Sequence, residues 1–274
     1  MTIPRIFQAD FQAAAAQLRV PEMGTEVVAP LLANLVRLIR PRRVLEVGMG
    51  YTTPFLAAEL ADLREGARAE AAALAEKTRR HLADAEQLDN DWLLADPPLV
   101  TPAAHTEPYQ PRLAVVDNLQ DPDSSAKRVT EVLEELNLDD SVTVVNADMK
   151  ELADHLPADF RPIDFAWVDA WECLYFFDHL MDLVNPDGGV VVMHYLMSYP
   201  EGEAVLRYIA EYQRKHPGEL EVLNLLESHK LMQNSITVLS RTAGRTKRRY
   251  AKLGGAIDYG TELHTAALRQ AGIR

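Results

Sequence analysis

Residues 43–53 read Arg-Val-Leu-Glu-Val-Gly-Met-Gly-Tyr-Thr-Thr, a short apolar run that ends in an acid and then in two glycines one residue apart. An open parallel sheet presents the end of its first strand to a nucleoside-containing ligand in this way, because such ligands bind beyond the carboxyl ends of the strands. A side chain at Gly48 or Gly50 would block close approach of the backbone and restrict φ in the turn. Glu46 places a carboxylate at the strand tip, where it can engage a ligand cation or order the loop. No Gly-Lys-Ser/Thr follows, which excludes a phosphate loop, and Thr53 stands where the dinucleotide fingerprint has its third glycine.

The same rhythm of strand and acid recurs along the chain. Strands are predicted at Val44–Val47, at Leu113–Val116 ending at Asp117, at Val142–Val145 leading to Asp148, and at Ile163–Val168 leading to Asp169. A fifth, Val190–Met193, follows Asn-Pro-Asp-Gly-Gly, and strands near 220–225 and 235–240 are expected to form an antiparallel edge. Helices are predicted over 8–19, 26–39, 55–63, 67–83, 123–136 (capped by Asp123), 172–183 and 201–215. The pattern implies an α/β fold: a doubly wound, Rossmann-like sheet, mostly parallel, with helices on both faces. Residues 1–40 read as a helical cap and 41–242 as the core, with a helical and Pro-rich insertion at 65–111. Residues 243–274 read as a tail.

Composition narrows the partners. A chain of 274 residues with 47% hydrophobic and 25% charged residues is an ordinary globular one. Its formal net charge of −13 argues against a nucleic-acid backbone or an anionic membrane as partner. A single cysteine, Cys173, allows neither an internal disulfide nor a Cys-based zinc site. No stretch is long and apolar enough to span a bilayer, and the start lacks a signal-peptide core, so a cytoplasmic setting is expected.

Four acids at successive strand tips suit a nucleoside cofactor that carries positive charge. Asp117 suits a ribose diol, which needs one carboxylate accepting from two hydroxyls. Asp148 suits an adenine amino group, with Met149 adding backbone and apolar contact. Glu46 and Asp169 suit an ammonium and a sulfonium in a partly desolvated cleft. Any one of these acids alone would be read as a helix cap or a solvated loop residue.

The ordered segments Leu-Glu-Val-Gly-Met-Gly-Tyr, Val-Val-Asp, Val-Val-Asn-Ala-Asp-Met, Phe-Ala-Trp-Val-Asp-Ala-Trp and Pro-Asp-Gly-Gly-Val-Val-Val resemble the successive motifs of class I methyltransferases that use S-adenosylmethionine (SAM). The resemblance covers about residues 40–195, with a last-strand match near 235–240. It implies SAM as cofactor, S-adenosylhomocysteine (SAH) as product, and cofactor contacts from Glu46, Gly48, Gly50, Tyr51, Thr52, Asp117, Asp148, Met149 and Asp169. One departure is the 71 positions (117 − 46) between Glu46 and Asp117, where such folds place the second acid about twenty residues on. The inserted helix and loop account for the excess.

The acceptor is less legible. Catechol-type members, which the chain loosely resembles, hold magnesium with an acid after strand four and an Asp-Asn pair after strand five. Here Asp169 could supply the first ligand, but the chain after strand five reads Met193-His194-Tyr195, with neither Asp nor Asn, so no metal is expected. A local hydrogen bond is the expected use of His194. The segment Asp169-Ala170-Trp171-Glu172 offers Glu172 and Asp169 as carboxylates able to take a proton. Trp171, Tyr195 and Met23 would be walls for a planar acceptor. Tyr109 is a further candidate wall, and His81 and His105 are candidate lid contacts. The basic run 245–249 reads as a surface turn, or as a partner for an acceptor carboxylate.

Short stretches are also similar to bacterial natural-product enzymes that methylate C3 of an indole. The expected function is therefore metal-independent methylation of a small aromatic molecule, with indole C3 the preferred acceptor and a homodimer allowed. Oxygen or nitrogen methylation and aminopropyl transfer on the same fold are the alternatives. A nicotinamide dehydrogenase and a non-catalytic SAM-binding protein or scaffold are the competing classes.

Overall fold

A computed structural model describes residues 3–21, 24–97, 108–120, 124–228, 230–243 and 260–273. The chain divides into two compact units, one of residues 1–62 and 111–246, the other of residues 63–110 and 247–274.

The first unit carries the sheet. Its elements are α1 (Ala9–Ala16), α2 (Val28–Ile39), β1 (Arg43–Val47) and the first turns of α3 (Thr52–Leu82). After the insertion come β2 (Arg112–Asp117), helix Ala126–Glu135, β3 (Val142–Asn146), β4 (Phe165–Val168), β5 (Val190–His194), helix Pro200–Lys215, β6 (Leu220–Leu226) and β7 (Ser235–Arg241). The seven strands lie in the order β3-β2-β1-β4-β5-β7-β6. β1 to β5 run parallel, and β7 is antiparallel to both β5 and β6. The expected doubly wound sheet is thus present, and its antiparallel strand lies at the predicted end.

Period two divides the sheet residues between its faces. Leu45, Val47, Ala114, Val116, Ala166 and Val168 enter one core cluster with Phe160, Phe176 and Leu180. On the opposite face, register aligns Val115, Glu46, Trp167 and Val192 in one row. Two residues further along, Asp117 on β2 and His194 on β5 point the same way. Register alone therefore collects polar groups at the carboxyl ends of the strands. Arg37 of α2 grips Glu59 of α3 with two bonds of 2.6 and 2.7 Å, which fixes the helix that leaves the glycine turn.

Three predicted elements change on folding. The helices predicted at 55–63 and 67–83 are one, α3, which runs through Gly66. A single helical glycine costs about 1 kcal/mol against alanine, whereas a second helix would need a second nucleation. β4 starts at Phe165 rather than Ile163. Asp164 accepts from the amides of Arg42 and Arg43, both at 3.0 Å, and Ile163 bridges Val184 instead. The helix predicted at 172–183 is an α turn, a wider π turn at Phe176–Leu180 and a 3₁₀ turn, which together turn Phe176, Phe177 and Leu180 into the core.

The second unit has its own small core. Asp89 caps α4 (Asn90–Leu94) by accepting from the Trp92 amide at 3.0 Å. Trp92 is fully buried against Leu74 of α3 and against Leu263 and Ala267 of α5 (Gly260–Ala271), so the segment expected as a tail contains a packed helix. The buried Lys77 donates to the carbonyls of Leu93, Ala95 and Pro97. Desolvation holds its ammonium below the usual lysine range.

Candidate active site

The glycine turn after β1 is shaped from both sides. Gly48 adopts φ of +94°, and a Cβ there would lie 2.9 Å from the Asp169 carbonyl oxygen, so this position requires glycine. A Cβ on Gly50 would meet no heavy atom within 4 Å; the backbone there borders open space. The Met49 amide donates to Asp117 Oδ2 at 2.8 Å, and the Ser124 hydroxyl donates to the other oxygen, Oδ1, at 2.6 Å. The Ser125 hydroxyl donates to the Met49 carbonyl at 2.6 Å. The tip of β2 and the chain after it thus clamp the turn.

Beneath the turn lies Glu46, fully buried. The Thr52 hydroxyl donates to its Oε1, while Oε2 has no partner among the described residues. Burial pushes its carboxyl up to about 8, against the pull of the Thr52 and Thr53 hydroxyls, and the nearby Asp169 and Asp117 carboxylates add to the rise.

A cavity of about 410 Å³ opens over the turn, a size that suits a small organic ligand. Its floor is Gly48, Met49, Gly50 and Tyr51, and Asp169, Ala170, Trp171 and Tyr195 form one wall. Leu18, Val20 and Thr25, from the chain between α1 and α2, close another side with Gln233. Among the described lining residues Asp169 is the only charged one. Its amide donates to the Val47 carbonyl at 3.1 Å, and its Oδ1 lies 2.8 Å from His194 Nδ1.

Trp171 is 67% exposed, so it is not a core residue; its ring rests 5.1 Å from Tyr195 and 5.4 Å from Tyr199. Tyr195 holds φ of +49°, a strained conformation for a bulky residue. Its amide donates to the Ser235 carbonyl at 2.7 Å, and burial raises its phenol above the usual tyrosine range.

The structure therefore brings Gly48, Gly50, Tyr51, Asp169, Trp171 and Tyr195 to one cavity, with Glu46, Thr52 and Asp117 supporting it from behind. The other sequence-derived candidates stand elsewhere. Glu172 is exposed at the start of the helical segment and is not among the lining side chains. Asp148 is exposed and caps a 3₁₀ turn by accepting from the Lys150 amide at 2.8 Å, and Met149 belongs to the core. His81 Nε2 lies 3.2 Å from the Gln87 carbonyl oxygen within the second unit, which also contains Tyr109. Met23, His105, the Asp123 cap and the basic run 245–249 lie outside the described residues. Leu18, Val20, Thr25, Ser125, Val129 and Gln233 line the cavity without any local sequence signal, because loops and one helix face deliver them from distant parts of the chain. Among the described residues no group of three or more His, Cys, Asp or Glu side chains is placed to hold a metal, and no helix is long and apolar enough to cross a membrane.

No family model matches the chain, and no curated protein matches it in sequence. Solved structures do match its fold. One is the O-methyltransferase TomG of Streptomyces achromogenes, involved in tomaymycin synthesis, in complex with SAM. It is similar at TM-score 0.56 and 17% identity over 86% of this chain and 90% of that one. An O-methyltransferase from Bacillus cereus in complex with SAH is similar at TM-score 0.54 and 16% identity, over 85% and 89% of the two chains. Cofactor-bound Rv0187 from MTB is similar at TM-score 0.53 and 17% identity, over 86% and 88%. The chain has the class I SAM-dependent methyltransferase fold.

Proposed function

We propose that the protein is a SAM-dependent methyltransferase for a small, uncharged aromatic acceptor, and that Asp169 takes the acceptor's proton. The observation that carries this reading is one cavity shared by the Gly48–Gly50 turn, the Trp171–Tyr195 wall and a single carboxylate. The turn fits the cofactor's nucleoside and methionine parts: Gly50 leaves room for close approach, Asp169 in the cavity wall and Asp117 behind the turn set negative charge near a cationic ligand, and the buried, protonated Glu46 orders the loop through Thr52.

When bound, SAM supplies an electrophilic methyl group, and its transfer leaves a neutral thioether. Trp171 and Tyr195 hold the ring plane of the acceptor, and Asp169 receives the proton lost from its O–H or N–H as the new bond to carbon forms. Charge balances: one sulfonium and one carboxylate are consumed together. Glu172, exposed outside the lining, is the weaker of the two carboxylates offered by the sequence.

Oxygen methylation is the leading acceptor chemistry, supported by the likeness to O-methyltransferases. Methylation of indole C3, in natural-product biosynthesis, is the second reading. It is favoured by the aromatic wall beside a carboxylate able to take the indole N–H proton. Calorimetric titration with SAH, beside decarboxylated SAM and NAD, tests the cofactor; preference for either competitor overturns the reading. Incubation with SAM and a panel of phenols and indoles, with the methylated atom located by NMR, decides between the two acceptor chemistries.

A further inference from the structure

His194 is fully buried at the end of β5, with Nδ1 2.8 Å from Asp169 Oδ1 and Nε2 without a partner among the described residues. Its ring lies between those of Trp167, at 5.4 Å, and Tyr195, at 5.1 Å. As a packing residue it is a poor choice. A leucine or methionine would fill similar space without burying an unpartnered nitrogen, which costs on the order of 1–3 kcal/mol. What an apolar side chain could not supply is a hydrogen-bond donor to Asp169. The titratable groups near that carboxylate are Glu46 on β1, with Asp117 on β2 beyond it, Glu172 and Cys173 just after it, His194 at the end of β5 and Tyr195 just past it. Among the described residues His194 is the one that hydrogen-bonds the Asp169 side chain.

We propose that His194 is a positioning residue for Asp169: its Nδ1–H donates to Oδ1, fixes the carboxylate toward the cavity and leaves the second oxygen for the acceptor's proton. The roles familiar from Asp–His pairs are thereby exchanged. The imidazole is buried and does the orienting, while the carboxylate faces the ligand. The tautomer follows from the geometry, since a carboxylate accepts and Nδ1 must then carry the hydrogen. This inference rests on the methyltransferase reading for its consequence in catalysis, but the tautomer does not depend on it.

The test has two arms. ¹⁵N NMR of histidine-labelled full-length protein, with His194→Asn identifying the signal, reads the tautomer; a proton on Nδ1 that is lost or exchanges faster in Asp169→Ala is expected. An unprotonated Nδ1 in the wild type overturns the proposal. The second arm compares His194→Leu with His194→Asn, whose amide nitrogen can take the place of Nδ1, in methyl transfer from SAM to the phenol and indole probes. His194→Leu is expected to lower kcat about 100-fold with KM for SAM within about twofold, and His194→Asn to recover most of the loss. Equal rates in all three proteins, or no recovery with asparagine, overturn the proposal. If His194→Leu does not fold, the asparagine variant and the NMR arm still decide. If the wild type fails to bind SAH, the methyltransferase reading falls, while the tautomer measurement stands on its own.

Discussion

The backbone amide of Met49 donates to Asp117 Oδ2 at 2.8 Å, joining the glycine turn after β1 to the tip of β2. Two residues 68 positions apart in the chain thus hold one loop in the shape a cofactor would meet.

Asp117→Ala removes this clamp and leaves the Ser124 hydroxyl without its acceptor. The expected result is SAH binding at least about tenfold weaker, with stability lowered by about 1–2 kcal/mol. Calorimetric titration and urea denaturation read the two effects separately. Unchanged affinity would remove Asp117 from the cofactor site.

The two turn glycines are expected to fail differently. In Gly48→Ala the new Cβ meets the Asp169 carbonyl oxygen at 2.9 Å with φ at +94°, so a stability loss of about 1–3 kcal/mol is expected along with lost SAH binding. In Gly50→Ala the methyl group enters open space. Its thermal midpoint should match the wild type while SAH binding falls. A Gly50→Ala protein that binds SAH normally would place the cofactor away from this turn.

Glu46 makes stability depend on pH. Its carboxyl lies near 8 in the folded chain against 4.5 as the reference value, so between those pH values the folded state holds a proton that the unfolded state has released. Stability therefore falls as pH rises from about 4.5 to 8. The loss is at most several kcal/mol, at about 1.4 kcal/mol per pH unit. In Glu46→Gln this component should vanish, and the variant should gain relative to the wild type above pH 8. Parallel denaturation curves of the two proteins across pH 5–9 would contradict the burial described above.

Trp171→Ala separates fold from ligand contact. Because the ring is mostly exposed, a stability change of no more than about 0.5 kcal/mol is expected. Methyl transfer to an aromatic probe should show a raised KM for that probe, with SAH affinity nearly unchanged. A large stability loss with an unchanged KM would return Trp171 to a structural role.

The sequence by itself determined the strand order along the chain, the glycine turn and the acids at the strand tips. These are local properties: period-two apolar runs, residues that permit unusual φ, and charge at chain positions fixed by where a strand ends. It could not determine which acids share a cavity, because that depends on which neighbours the fold brings to each tip. Asp148 and Asp169 look alike as acids after apolar strands. Yet Asp148 turns back to cap its own 3₁₀ turn, whereas Asp169 meets His194 across the β4–β5 boundary. Glu172 and Trp171 are adjacent in the chain, but only the indole stands against Tyr195 and lines the cavity. Leu18, Val20, Thr25 and Gln233 reach the cavity from loops, where no periodicity marks a residue for burial or for ligand contact. Tertiary structure decided these pairings because hydrogen bonding and desolvation act over a few ångströms of space, whatever the separation along the chain.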